Sequence, residues 1–205
     1  MKGVTFNCHF SIQSEVARIA QIYLKKDWYI NHGYSKFLIL PTGLTIESTP
    51  SLKVIEEHVV KEFNNIEYDQ YSIKLVGELK KFIGNQDKTS EINFLTEYDI
   101  YITKYGTGGS YTPPNKITVN YKKNGSNFFT VLHEMIHLSI EDKVQKHGIS
   151  QQQKERVVDL IGKKLFPDIA KEQQRFADQN HVDQAFADSY PDIDNIFAKI
   201  KGIPE

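Results

Sequence analysis

A chain of 205 residues, 40% hydrophobic and 12% aromatic, is long enough to bury one sizeable core, at most with a small appended lobe. Its 25 Lys and Arg against 26 Asp and Glu leave a net charge of -1 with the signs interspersed, which excludes a phosphate-tracking face and with it nucleic acid as the main partner. The single cysteine, Cys8, excludes an internal disulfide framework and a cysteine-rich zinc finger. In chain order, Val4, Phe6, Cys8, Phe10 and Ile12 alternate with polar residues, the period of a half-buried strand. No apolar leader run precedes them and no window reaches the roughly 20 apolar residues of a membrane span, so the expectation is a chain without a membrane partner. Its expected place is the cytoplasm, with secretion the alternative if a leader precedes this sequence.

Ser11 or Ser14 can cap a helix carrying Val16, Ile19, Ala20 and Tyr23, and Lys36 to Ile46 predicts two short strands about the break at Pro41 to Gly43. From about Ser51 the stripe Val54, Ile55, Val59 and Phe63 is helical. A further helical stretch runs past Asn64-Asn65 through Ile73, Val76 and Leu79 to Gly84. Glu91 to Tyr105, rich in Ile, Thr, Tyr and Phe, predicts one or two strands. The Gly and Pro cluster GTGGSYTPPN then marks an irregular loop, and Ile117, Val119 and Tyr121 alternate as a short strand near 116–121; because Pro113-Pro114 cannot both donate to a ladder, that strand or its lead-in is placed at a sheet edge. From about Ser126 the period is helical to the end of the chain. Strands and helices followed by helices alone predict one α+β domain over 1–205: a mixed α/β part over 1–125, a motif helix over 126–147 and a helical lower part over 150–205.

The motif helix contains VLHEMIHLSIED, with His133 and His137 four residues apart and Glu134 directly after the first. Side chains at that spacing share one helix face, where two imidazoles can converge on one tetrahedral Zn²⁺ and a flanking carboxylate can reach a water rather than the ion. Chance would supply such a pattern about 0.02 times in a chain of this composition. A third ligand is required. Glu141 stands roughly 12 Å along the axis from His133, too far on an unbroken helix. The metzincin positions are occupied by Ile140 and Lys143, which fit neither the glycine nor the histidine of that pattern.

The next helix supplies a better candidate. Gly148 ends the motif helix, and Ser150 with Gln153 forms a capping-box pattern for a helix starting near Gln151. Glu155, Val158, Asp159 and Gly162 then share the face that a short turn brings opposite the histidines. Glu155 is the expected third ligand, and Asp159, one turn on, is placed to accept a ring N–H from a ligating histidine. The alternative is a packed helix whose buried histidines are satisfied by these two acids without metal.

His133-Glu134-x-x-His137 with Glu155-x-x-x-Asp159 resembles the gluzincin metallopeptidases, the thermolysin-like zincins, over about Gly108 to Gly162. The resemblance implies a zincin-like fold, zinc held by His133, His137 and Glu155, and hydrolysis of a peptide or protein substrate by a zinc-bound water that Glu134 activates. The stretch GGSYTPPNKITVNY looks like the edge strand of zincin domains, in which Gly108 and Gly109 would let a peptide backbone approach and Tyr111 would touch its side chains. Family members use a Tyr or His to stabilise the oxyanion, for which His181, Tyr190 and His147 are the candidates here. Only 43 residues follow Gly162, so the resemblance is to a small form. The alternatives are a zinc amidase with a non-peptide substrate and a zincin-like zinc-binding protein with a regulatory or binding role and latent or absent proteolysis. Oligomeric state is left open by the sequence.

Overall fold

The computed structural model describes residues 3–84, 92–122, 127–170 and 179–201. The opening alternation forms β1 (Thr5–His9). Ser11, rather than Ser14, caps α1 (Ile12–Leu24): its hydroxyl accepts from Ser14 N, and the Ser14 hydroxyl accepts from Ser11 N, a complete capping box. A short helix α2 (Lys26–Asn31) follows, then a single 3₁₀ turn at Ser35–Phe37. The two strands expected over Lys36 to Ile46 do not form; the segment contributes one isolated bridge, Ile39 to Gly106. Its apolar residues pack instead into two small clusters, with Leu38 and Leu40 against Ile22, Tyr29 and Ile46, and Ile39, Leu40 and Leu44 against Ile19, Ile55, Val59 and Tyr105. Pro41 lacks an N–H and Gly43 has φ +88, so the chain turns where a ladder would have to continue.

Helices α3 (Leu52–Glu62), capped by Ser51, and α4 (Asn65–Gly84) lead to β2 (Glu97–Thr103), β3 (Gly109–Thr112) and β4 (Lys116–Asn120). The four strands form one mixed sheet in the order β1-β2-β4-β3, with β1, β2 and β4 parallel and β3 antiparallel to β4. The edge position expected for the strand near 116–121 or its lead-in belongs to the lead-in, β3. Pro113 and Pro114 lie in the turn between β3 and β4, outside both strands, so β4 keeps a full ladder on each side.

The sheet alternates up to the ends of β2 and β4, where Thr103 and Asn120 are buried as well. Tyr98, Ile100 and Ile102 of β2 and Ile117 and Val119 of β4 are buried, whereas Asp99, Tyr101, Lys116 and Thr118 face the other way. Against the apolar face lie α4 and α5 (Asn127–His147), and beyond them α6 (Gln151–Leu165), α7 (Asn180–Ser189) and α8 (Ile193–Lys201). The architecture is α+β, a four-stranded mixed sheet with eight α-helices among the described residues. Among those residues no helix is long and apolar enough to cross a membrane.

Helix α5 is the centre of the main core. Val131, Leu132, Met135, Ile136, Leu138 and Ile140 are all buried, so the helix is apolar nearly all round and is covered by sheet on one side and by α4, α6 and α8 on others. A helix gripped on so many sides holds its polar residues in fixed positions. Truncating one of its fully buried side chains, such as Leu132, costs about 2–5 kcal/mol by the usual cavity energetics.

Candidate metal centre

Adjacent turns of α5 and the first two turns of α6 build the site. Gly148, at φ +63, ends α5, and the predicted capping box starts α6: Ser150 Oγ accepts from Gln153 N, and Gln153 Oε1 accepts from Ser150 N. The turn is short enough to bring Glu155 opposite the histidines. Val158 is fully buried, and a Cβ at Gly162 would stand 3.7 Å from Ile136 Cδ1, so the predicted face of α6 is the one that packs on α5.

His133 Nε2 and His137 Nε2 lie 3.1 Å apart, and Glu155 Oε2 is 3.4 Å from the first and 3.2 Å from the second. Donors about 2.0–2.1 Å from a tetrahedral ion stand about 3.3–3.4 Å from one another, so these three atoms fit the corners of one coordination sphere. The cluster can hold a metal ion. Two imidazoles and one carboxylate form a donor set that suits zinc among other first-row metals.

The atoms behind the triad fix its orientation. Gln151 Nε2 donates to Glu155 Oε1 at 2.5 Å, which leaves Oε2 to both histidines. The buried Asp159 carboxylate lies 3.8 Å from His133 Nδ1, an ion-pair distance longer than a hydrogen bond. His137 is held differently: its buried Nδ1 has no hydrogen-bond partner among the described residues, but its ring stacks on Tyr111 at 4.8 Å and 12°. Tyr111 is itself clamped, its hydroxyl donating to Glu141 Oε2 and accepting from Lys154 Nζ, each at 2.7 Å. Glu141, excluded as a ligand by its position along the helix, thus serves the site through Tyr111.

Electrostatics follow from burial and proximity. Burial of Glu155 would raise its pKa, but its contacts with His133 and His137 hold it well below the usual carboxylate range. Burial works against a charged His133, yet Glu155, Glu134 and Asp159 together raise its pKa; for His137 burial prevails and the pKa falls. Glu134 is 8% exposed, and burial pushes its carboxyl up to about 7. Three carboxylates and two imidazoles in so dry a place are costly unless a cation offsets them.

The cavity over the triad has a volume of about 430 Å³ and is lined by His133, Glu134, His137, Gln151, Gln152 and Glu155 from α5, α6 and their junction, by Gly109, Ser110 and Tyr111 from β3, and by Trp28 and Tyr34. Edge strand and triad therefore share one space. Gly109 lets the strand come this close: a Cβ there would stand 2.4 Å from Thr130 Cγ2 and 2.8 Å from Glu134 Oε1. His181 and Tyr190, at the start and end of α7, are not among the described residues lining the cavity, and Tyr190 packs on Phe186 at 4.8 Å. His147 Nε2 is 2.9 Å from Asp194 Oδ1 on α8. Sequence patterning missed Gln151, Trp28 and Tyr34. Only Gln151 had a local signal, its place one turn before Glu155.

Fold and site define an α+β chain with a cluster of two buried histidines and a half-buried glutamate, a flanking buried glutamate and an adjoining sheet edge. No known protein family matches the chain, and no curated protein or solved structure matches it. The likeness to gluzincins therefore rests on these residues alone.

Proposed function

We propose that the chain is a small gluzincin-type zinc metallopeptidase with a zincin-like fold, hydrolysing peptide bonds in a peptide or protein substrate. The observation that carries the proposal is the convergence of His133, His137 and Glu155 to within 3.1–3.4 Å of one another, with buried Glu134 lining the same cavity. Zinc bound there would act as a Lewis acid on the scissile carbonyl and make a water acidic enough to attack at neutral pH.

The chain's own residues supply the rest. An extended substrate lies along β3, the sheet edge formed by Gly109 to Thr112, adding main-chain hydrogen bonds as a further strand. The Glu134 carboxylate, directly after the ligand His133 and lining the same cavity, takes the proton of the attacking water and delivers it to the leaving amine nitrogen. Gln151 keeps the Glu155 carboxylate turned toward the histidines, and Tyr111 keeps the His137 ring from rotating. Oxyanion stabilisation by His181 or Tyr190 would require α7 to contribute to the cavity once substrate is bound.

Glu134→Gln preserves the shape of the side chain and removes the base. The expected result on casein and on a peptide library is a loss of about 10²–10⁴-fold in kcat with zinc content unchanged. Equal cleavage by native and variant proteins would assign the activity to a contaminant, and zinc binding without cleavage by either would leave a metal-binding protein with a regulatory role.

A further inference from the structure

Beside the triad, the cavity has a wall that the hydrolytic chemistry does not use. Trp28 and Tyr34 line it from α2 and the turn that follows, with 49% and 41% of their surface exposed. Their rings are nearly parallel, 5.3 Å apart at 6°, and Trp28 also stacks on His32 at 4.8 Å. The arrangement is built by the backbone. Gly33 adopts φ +70, its N–H bonds to Ile30 O at 3.1 Å, and Tyr34 N–H bonds back to Tyr29 O at 2.9 Å. Those two bonds are a Schellman motif, which reverses the chain at the end of α2 and folds Tyr34 over Trp28. Tyr29, buried against Ile22 and Ile46, meets Trp28 edge-on at 5.3 Å and anchors the group from behind.

We infer that Trp28 and Tyr34 form a specificity subsite that binds a large apolar side chain of the substrate, an aromatic one best. The inference rests on the metallopeptidase proposal for what the substrate is, and on the shared cavity for where its side chain goes. Two aromatic rings already ordered by stacking offer a broad apolar surface at little further entropic cost. None of the described lining residues is Lys or Arg, and the acids among them, Glu134 and Glu155, are committed at the triad. Selection at the wall is therefore by ring contact rather than by ion pairing. A cavity of about 430 Å³ is within the range of small-ligand pockets and has room for such a side chain together with the flanking peptide.

Trp28 is the only tryptophan in the chain, so its emission reports directly on this wall. The probes are N-blocked phenylalanine hydroxamate and alanine hydroxamate, added to zinc-loaded protein. The phenylalanine compound should bind about tenfold tighter and change the Trp28 emission, as expected for one aromatic contact plus the buried ring area. In Trp28→Ala, read by calorimetry, and in Tyr34→Ala, read by emission, the preference should fall to about twofold or less. Equal binding of the two probes to the native chain, or an undiminished preference in both variants, would overturn the inference. Failure of the metallopeptidase proposal gives a different pattern: zinc binds, casein is untouched, and the hydroxamate ratio still decides the wall. If zinc itself does not bind, blocked phenylalanine and alanine amides are compared by emission, where a phenylalanine preference supports the wall and equal responses overturn it.

Discussion

At the scale of single residues, Glu155 and His137 are each oriented by a neighbour outside the triad. Glu155 turns one oxygen to both histidines because Gln151 holds the other, and His137 keeps its orientation because Tyr111 is clamped between Glu141 and Lys154. Gly109 is the most demanding of these positions. In Gly109→Ala the new methyl overlaps Thr130 Cγ2 and crowds Glu134 Oε1, so a loss of about 1–3 kcal/mol in unfolding free energy is expected, together with a fall in kcat. Adding Thr130→Ser, which removes that methyl, should restore stability more than activity; equal recovery of both would argue against a positioning role for Gly109. His133, Glu134 and His137 were legible in the sequence because helical period alone puts residues four apart on one face. Glu155 and Asp159 were legible because a turn of known type fixes how the second helix faces the first. Trp28 and Tyr34 were not, since their approach to the triad depends on how an N-terminal lobe docks more than 90 residues away in sequence.

At the scale of elements, local rules served helices better than strands. The capping box expected at Ser150 formed, and Ser11, expected only as one of two possible caps, forms one as well, since cap and third helical residue meet without help from the rest of the fold. Ser150→Ala removes the acceptor that fixes the first turn of α6. A loss of about 1 kcal/mol is expected, seen in thermal unfolding as a fall of about 2–4 °C. Strand pairing is non-local, and there the patterning fell short: it left open whether the strand near 116–121 or its lead-in takes the edge, which goes to β3, and the apolar residues of Lys36 to Ile46 went to helix packing rather than to a ladder. The joint between α1 and the sheet is also invisible in sequence. Fully buried Glu15 accepts from Tyr68 Oη, Thr103 Oγ1 and, at 2.7 Å, Lys104 N. Burial nevertheless outweighs those donors and raises its pKa above the ordinary 4.5. The folded chain then binds more protons at Glu15 than the unfolded chain does, so this residue's contribution is full below 4.5 and is lost as pH rises through the raised value. Relative to Glu15→Gln, which cannot titrate, native stability in denaturant should decline over that window. A relative rise would contradict the assignment.

For the whole molecule, the division of labour is between a sheet that supplies an edge, a buried α5 that carries His133, Glu134 and His137, and an α6 that sets Glu155 opposite them with α7 packed behind it. Arg156, buried on α6, grips Asp183 of α7 with Nε to Oδ1 at 2.6 Å and Nη2 to Oδ2 at 2.7 Å, which ties α7 to the element that carries Glu155. The α+β class could be read from the order of periodicities, because strands appear only before the motif helix. The mixed sheet could not, because parallel pairing of β1, β2 and β4 depends on crossovers that no local pattern encodes. The central proposal is that the cluster of His133, His137 and Glu155, which can hold a metal ion, holds zinc. Metal analysis of the purified chain, followed by zinc titration of native protein and of His137→Ala, tests it most directly. The account predicts one equivalent of zinc per native chain and loss of that site in the variant; less than half an equivalent in the native chain, with no uptake on titration, would contradict it.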